Sequence, residues 1–190
     1  MSGVLTQAKK QALDRFLASV ERRAYVMAKM AINSHDEALD IVQDAMTKLV
    51  SKYHDKPESE WKPLFYKILQ SRIRDWYRRE KVKRGFFGWL GSGRAEDEYY
   101  GDPLEQYPGH DASDPSMAVD LKRASVKIVE ALQTLSVRQQ QVFMLRIWEG
   151  LDVKQTAYAM GCSEGSVKTH LSRALNALKE KLHDWGDDDE

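Results

Sequence analysis

At 190 residues, 42% hydrophobic and 31% charged, the chain has room for one mid-sized domain or two small ones, and it is not disordered-like. The formal net charge is zero but segregated: 18 Lys/Arg against 11 Asp/Glu over Met1–Leu90 (+7), one against 8 over Gly91–Asp120 (−7), 10 against 6 over Leu121–Trp185 (+4), then −4 over Asp187–Glu190. No apolar run approaches the roughly 18 residues of a membrane span, MSGVLTQAKKQALDRF turns polar where a secretory leader needs an apolar stretch, and the single Cys162 excludes an internal disulfide or a thiolate-rich metal site. A cytoplasmic chain without membrane insertion is therefore expected. Two basic blocks around an acidic strip suit two modules facing a polyanion, although solvated faces with an acidic linker give the same pattern.

In chain order, Phe16, Val20, Met27 and Met30 recur at mostly helical steps. A second helix carries the stripe Leu39, Val42, Met46, Leu49, Tyr53. Ser34, with Glu37 three residues on, is placed to open it as a capping box, and early acids suit its positive end. His54–Glu60, with Pro57, interrupts the pattern. A third helix is predicted from about Trp61 to Lys83, with Leu64, Phe65, Ile68 and Ile73 as its apolar face. Order is expected to fail from Gly85 to about Ser116, a stretch rich in glycine and holding three of the five prolines. Its aromatics, Phe86, Phe87, Trp89, Tyr99 and Tyr100, suit a linker that docks on something.

From Met117 the pattern is helical again, with Val126, Val129, Leu132 and Leu135 as one stripe and Val142, Phe143, Leu145 and Ile147 as the next. VKQTAYAMGCSEGSVKTHLSRALNALKEKL is the most informative stretch. Val153–Met160 forms a short helix that ends on Gly161, a left-handed cap, and Ser163 caps a second helix whose inward face is Val167, Leu171, Leu175, Leu178 and Leu182. The turn length, with small Ala157 at the crossing, fits a helix-turn-helix. The opposite face of the second helix holds Glu164, Ser166, Lys168, Thr169, His170 and Arg173. Arg and Lys donate to guanine or phosphate and Glu accepts from cytosine, which is what a major-groove reader needs. An amphipathic hairpin with a merely solvated face is the alternative.

The stretch resembles the promoter-reading module of sigma-70-family factors, especially the extracytoplasmic-function (ECF) group, and ALQTLSVRQQQVFMLRIWEGLD is similar to the helices beneath that module. Two N-terminal segments extend the likeness. DEALDIVQDAMTKLVSKY resembles the sigma helix that docks on the clamp coiled coil of core RNA polymerase, with Asp40, Val42, Gln43 and Asp44 at the matching positions. WKPLFYKILQSRIRDWYRREKVKR resembles the segment that meets the −10 element, and it implies DNA-binding roles for Ser71, Arg72, Arg74, Asp75, Trp76, Arg78, Arg79, Lys83 and Arg84. Basic side chains there neutralise phosphates, and exposed aromatics stack on unpaired bases at about 1–3 kcal/mol each. Trp76 and Tyr77 also suit the helical core. The family usually has Asn at Ser71 and Trp at Leu64, so base contact through position 71 is not carried over.

The resemblance implies an all-α chain of two small helical domains joined by a long, flexible acidic linker. Its divisions are a clamp and −10 domain over 1–84, a linker over 85–116, a −35 domain over 117–185 with Ser163 and the polar face named above, and an acidic tail over 186–190. It further implies core RNA polymerase (clamp helices and flap), promoter DNA and an anti-sigma factor as partners. The linker would lie in the basic RNA path of the polymerase. No cofactor or enzymatic activity is expected: His35, His54, His110, His170 and His183 form no HExxH pair, and no Walker, dinucleotide or nucleophile-elbow motif occurs. The competing reading is a helix-turn-helix regulator that is not a polymerase subunit.

Overall fold

The computed structural model describes residues 7–90 and 128–184, with side chains at 7–82 and 128–181. The described residues are helical, without a strand among them. Their helices are α1 (Gln7–Ile32), α2 (His35–Tyr53), α3 (Glu58–Leu90), α4 (residues 128–133), α5 (Val137–Phe143), α6 (Val153–Met160) and α7 (Glu164–Asp184). They divide into two compact units, an N-terminal one built on α1–α3 and a C-terminal one holding most of α4–α7. Residues 91–127 and 185–190, which include nearly all of the expected linker and the acidic tail, lie outside the described residues.

The N-terminal unit is a three-helix bundle. α1 turns its Leu13, Val20, Ala24, Met27 and Ala31 line inward, and Asn33 takes a left-handed φ of 49° to reverse the chain into α2. Trp61, Phe65, Tyr66, Leu69 and Ile73 of α3 complete the core with Met27 and Leu49. Phe16 tilts against Trp61 at 5.8 Å and meets Phe65 edge-on at 6.1 Å, which fixes α1 on α3. Tyr77 donates from its hydroxyl to the Ala31 carbonyl, so it serves the bundle.

Four expectations need correcting here. Ser34 does cap α2, in extended conformation, but its side chain makes no capping hydrogen bond. The inward face of α2 is Ala38, Ile41, Val42, Ala45 and Leu49, while Leu39 is 46% exposed. α3 begins at Glu58 rather than Trp61, directly after Pro57, whose carbonyl accepts from the Glu60 amide at 2.9 Å. It also runs on through Gly85 and Gly88 to Leu90, past the expected linker start. Glycine costs a helix about 1 kcal/mol against alanine, which weakens the helix without forbidding it.

In the C-terminal unit, α4 ends in a turn at Thr134, and Ser136 opens α5 with a full capping box. Its Oγ accepts from the Gln139 amide at 3.4 Å, and Gln139 Oε1 accepts from the Ser136 amide at 3.3 Å. Buried Gln140 donates to the Leu132 carbonyl at 3.2 Å, tying α5 to α4. After α5 the chain widens into a π turn over Met144–Trp148, closed by the Glu149 amide on the Met144 carbonyl at 2.9 Å. Within this segment Met144 and Leu145 are buried while Ile147 is exposed. Val129 is exposed as well, which corrects the stripe expected across α4; Leu132 and Leu135 are buried as expected.

Candidate nucleic-acid interface

The helix-turn-helix is assembled by short-range chemistry. Gly150, at φ 68°, turns the chain out of the π segment. Asp152 then caps α6: its Oδ1 accepts from the Gln155 amide at 2.7 Å, and Gln155 Oε1 accepts from the Asp152 amide at 3.0 Å. α6 spans Val153–Met160 as expected and stops at Gly161, whose φ of 65° is the left-handed cap. The Cys162 amide closes the turn on the Ala157 carbonyl at 3.1 Å. Ser163 caps α7 as expected, accepting from the Ser166 amide at 3.1 Å, and the Ser163 and Ser166 hydroxyls lie 2.9 Å apart.

α7 is anchored by Val167, Ala174 and Leu178, all buried, with Leu171 half-buried. Leu175, expected inside, is 44% exposed, while its neighbour Ala174 is buried. Leu182 lies outside the described side chains. The polar face is laid out as expected: Glu164, Lys168, Thr169 and Arg173 are exposed, and Ser166 and His170 are half-buried. Thr169 spends its hydroxyl proton on the Gly165 carbonyl at 3.0 Å, leaving its methyl and lone pairs outward. Burial first, then the guanidiniums of Arg138 and Arg173, hold the His170 imidazole below its ordinary value of 6.5. Arg138 and Ser172 are exposed as well.

On α3 of the other unit, Arg78 and Arg79 are exposed, while Ser71, Arg72, Arg74, Asp75 and Trp76 are half-buried. Arg78 pairs with Asp75 at 3.3 Å, within the helix. Trp76 meets the Tyr77 ring edge-on at 5.1 Å, and its indole nitrogen is buried without a hydrogen-bond partner. The side chains of Lys83 and Arg84 lie outside the described residues. Arg72 reaches Asp44 of α2 at 3.8 Å, an exposed pair worth about 0–1 kcal/mol. Asp40, Gln43 and Asp44 stand on the exposed side of α2, beside Leu39. Val42 is only 4% exposed and packs into the bundle, so it is corrected from a surface contact to a core residue. Asp40, Gln43 and Asp44 also line an open groove with Glu37, Trp76 and Arg79.

Residues 125–178 match the family model "Sigma-70, region 4". The RNA polymerase sigma-E factor of Streptomyces avermitilis is 31% identical over 147 residues, covering 77% of this chain and 71% of that protein. The RNA polymerase sigma factor SigV of Bacillus subtilis is 28% identical over 181 residues, covering 93% and 94%. Among solved structures, the sigma factor RpoE of Bartonella quintana, crystallised with the anti-sigma factor NepR, shares the fold with a TM-score of 0.58 at 24% identity, over 94% of this chain and 98% of that one.

Proposed function

The chain belongs to the RNA polymerase sigma factors of the sigma-70 family, of the extracytoplasmic-function type, and on that premise we propose how its residues divide the work of promoter recognition. The C-terminal domain, over 117–185, sets α7 in the major groove of the −35 element. Glu164, Lys168, Thr169 and Arg173 meet base edges and phosphates there, with Ser163, Ser166 and His170 beside them. The N-terminal domain, over 1–84, docks on the clamp helices of core polymerase through Asp40, Gln43 and Asp44. It contacts the −10 region through Arg72, Arg74, Arg78, Arg79, Lys83 and Arg84, with Ser71, Asp75 and Trp76 on the same helix. The linker over 85–116 follows the basic RNA path, and the flap receives the C-terminal domain. The factor works in the cytoplasm, contributes no chemistry of its own, and is held off DNA by an anti-sigma factor.

The observation that carries this reading is the division of labour along α7. Val167, Ala174 and Leu178 fasten the helix, while Lys168, Thr169 and Arg173 remain exposed on a properly capped helix-turn-helix. Run-off transcription tests it, with purified core polymerase on DNA upstream of the chain's own gene. Initiation at a defined start, lost on Lys168→Ala with Arg173→Ala, is the expected outcome. DNA binding without capture of core polymerase would instead make the chain a plain helix-turn-helix regulator.

A further inference from the structure

Three glycines lie in or beside the helix-turn-helix, and the fold accounts for two of them. Gly150 and Gly161 hold left-handed φ values of 68° and 65°, which side chains rarely adopt. Gly165, the second residue of α7, has no such requirement. Its backbone is ordinary helix, and the position is exposed. Beyond its chain neighbours, a Cβ built on it would meet only Ser163 Oγ among the described residues, at an ordinary contact distance of 3.7 Å. After proline, glycine is the poorest helix former. α7 therefore carries a residue that weakens it and that its own packing does not need.

The position lies at the middle of the outward face. Val167, Ala174 and Leu178 are buried, and the helical period sets Gly165, Thr169, Ser172 and Asn176 on the opposite line, all four exposed. Thr169 holds its hydroxyl down on the Gly165 carbonyl at 3.0 Å, so this end of the line stands low. The long cations Lys168 and Arg173, both exposed, flank it on either side. We propose that Gly165 sets the depth at which α7 enters the major groove: with no side chain there, the helix backbone settles against the base edges of the groove floor, while Lys168 and Arg173 reach the phosphates of its walls. The proposal rests on the reading that α7 faces DNA. A side chain at 165 props the helix off the floor. Thr169, one turn on, then loses its reach to the bases, whereas the flexible cations keep theirs to the phosphates.

The test measures affinity of the full chain for a duplex oligonucleotide of upstream DNA over a salt series. Wild type, Gly165→Ala, Gly165→Leu and Lys168→Ala are compared, with thermal unfolding of each. Alanine and leucine have nearly equal helix propensity but differ in size, so the pair separates a change in the helix from a loss of room. Both Gly165 variants should melt at or above wild type. Gly165→Leu should lose affinity by about tenfold, the worth of one forfeited base contact, and Gly165→Ala by less, both with the salt slope of wild type. Lys168→Ala should lower that slope instead. Wild-type affinity in Gly165→Leu, with Lys168→Ala still weakened, overturns the proposal and leaves the DNA-facing reading standing. Equal losses in Gly165→Ala and Gly165→Leu, or a lowered melting temperature in Gly165→Ala, overturn it as well, because the glycine then serves the helix itself. If wild type does not bind the duplex, or Lys168→Ala binds it as tightly with the full salt slope, the DNA-facing reading itself fails, and the proposal with it.

Discussion

Val167 and Lys168 are neighbours on α7 with opposite duties, and mutating each separates scaffold from reading face. Val167 is 0% exposed. Its change to alanine deletes two buried methyl groups, at about 0.8 kcal/mol per carbon. The cavity left between the helices adds roughly another 1 kcal/mol, and the better helix propensity of alanine returns about 0.5 kcal/mol. The C-terminal unit should therefore lose about 2 kcal/mol, or roughly 10 °C of melting temperature for a unit of this size. Lys168 is exposed, so Lys168→Ala should leave stability within about 0.5 kcal/mol. What it should lose is one phosphate contact, lowering the slope of log affinity against log salt by about 0.9. Thermal unfolding of the full chain, followed by duplex binding over a salt series well below the melting point, measures both. Should Val167→Ala melt within 2 °C of wild type, or Lys168→Ala keep the full salt slope, the assignment of inner and outer faces on α7 is wrong.

Acid should weaken the C-terminal unit through His170. Its folded value lies below the 6.5 of the unfolded chain, so the unfolded state binds the proton first. The full contribution holds above pH 6.5 and is lost as pH falls from there toward the folded value; melting curves for wild type and His170→Asn that run parallel over that window would refute this. Ser136→Ala removes the capping box of α5 and should cost about 1 kcal/mol in urea unfolding, whereas Gln139→Ala should cost less because the Ser136 hydroxyl still caps. Asp40→Ala with Gln43→Ala should weaken capture of core polymerase by about tenfold without changing duplex binding by the chain, an outcome read by co-migration with purified core. Val42→Ala should instead lower the melting temperature of the N-terminal unit, as expected of a buried position. Deleting Arg94–Asp114 should impair early transcript synthesis more than holoenzyme assembly; equal yields of short and full-length RNA would count against a linker in the RNA path.

The helix-turn-helix was legible to the residue because its signals are local. Gly161 and Ser163 act within one turn of their own positions, through a left-handed φ and a side-chain cap, and no distant neighbour can reverse them. The faces of the helices were less legible. The predicted stripes were built from the large apolar residues, yet where helices approach closely the inward line is held by alanine: Ala24, Ala28 and Ala31 on α1, Ala38 and Ala45 on α2, Ala174 on α7. A small side chain lets two backbones close up, and the bulky residue beside it is turned toward the flank. Leu39 and Leu175 are both exposed beside a buried alanine, Ala38 and Ala174. The π turn at Met144–Trp148 was not legible either. It depends on one extra residue in a turn, which leaves composition unchanged.

These exposed leucines bear on function as well as on packing. A leucine left 46% exposed at position 39, beside the polar Asp40 and Gln43, puts an apolar side chain and hydrogen-bonding groups on one helix face. Protein interfaces combine those elements, an apolar centre within a polar rim. Val42, which the resemblance assigned to the same contact, sits one turn on but faces the bundle. A side chain committed to the core cannot also reach a partner without unfolding its own helix. The apolar part of any clamp contact on α2 therefore passes from Val42 to Leu39. Leu39→Glu should then weaken capture of core polymerase while leaving the melting temperature of the N-terminal unit unchanged, a pairing of effects that no buried residue of α2 can produce.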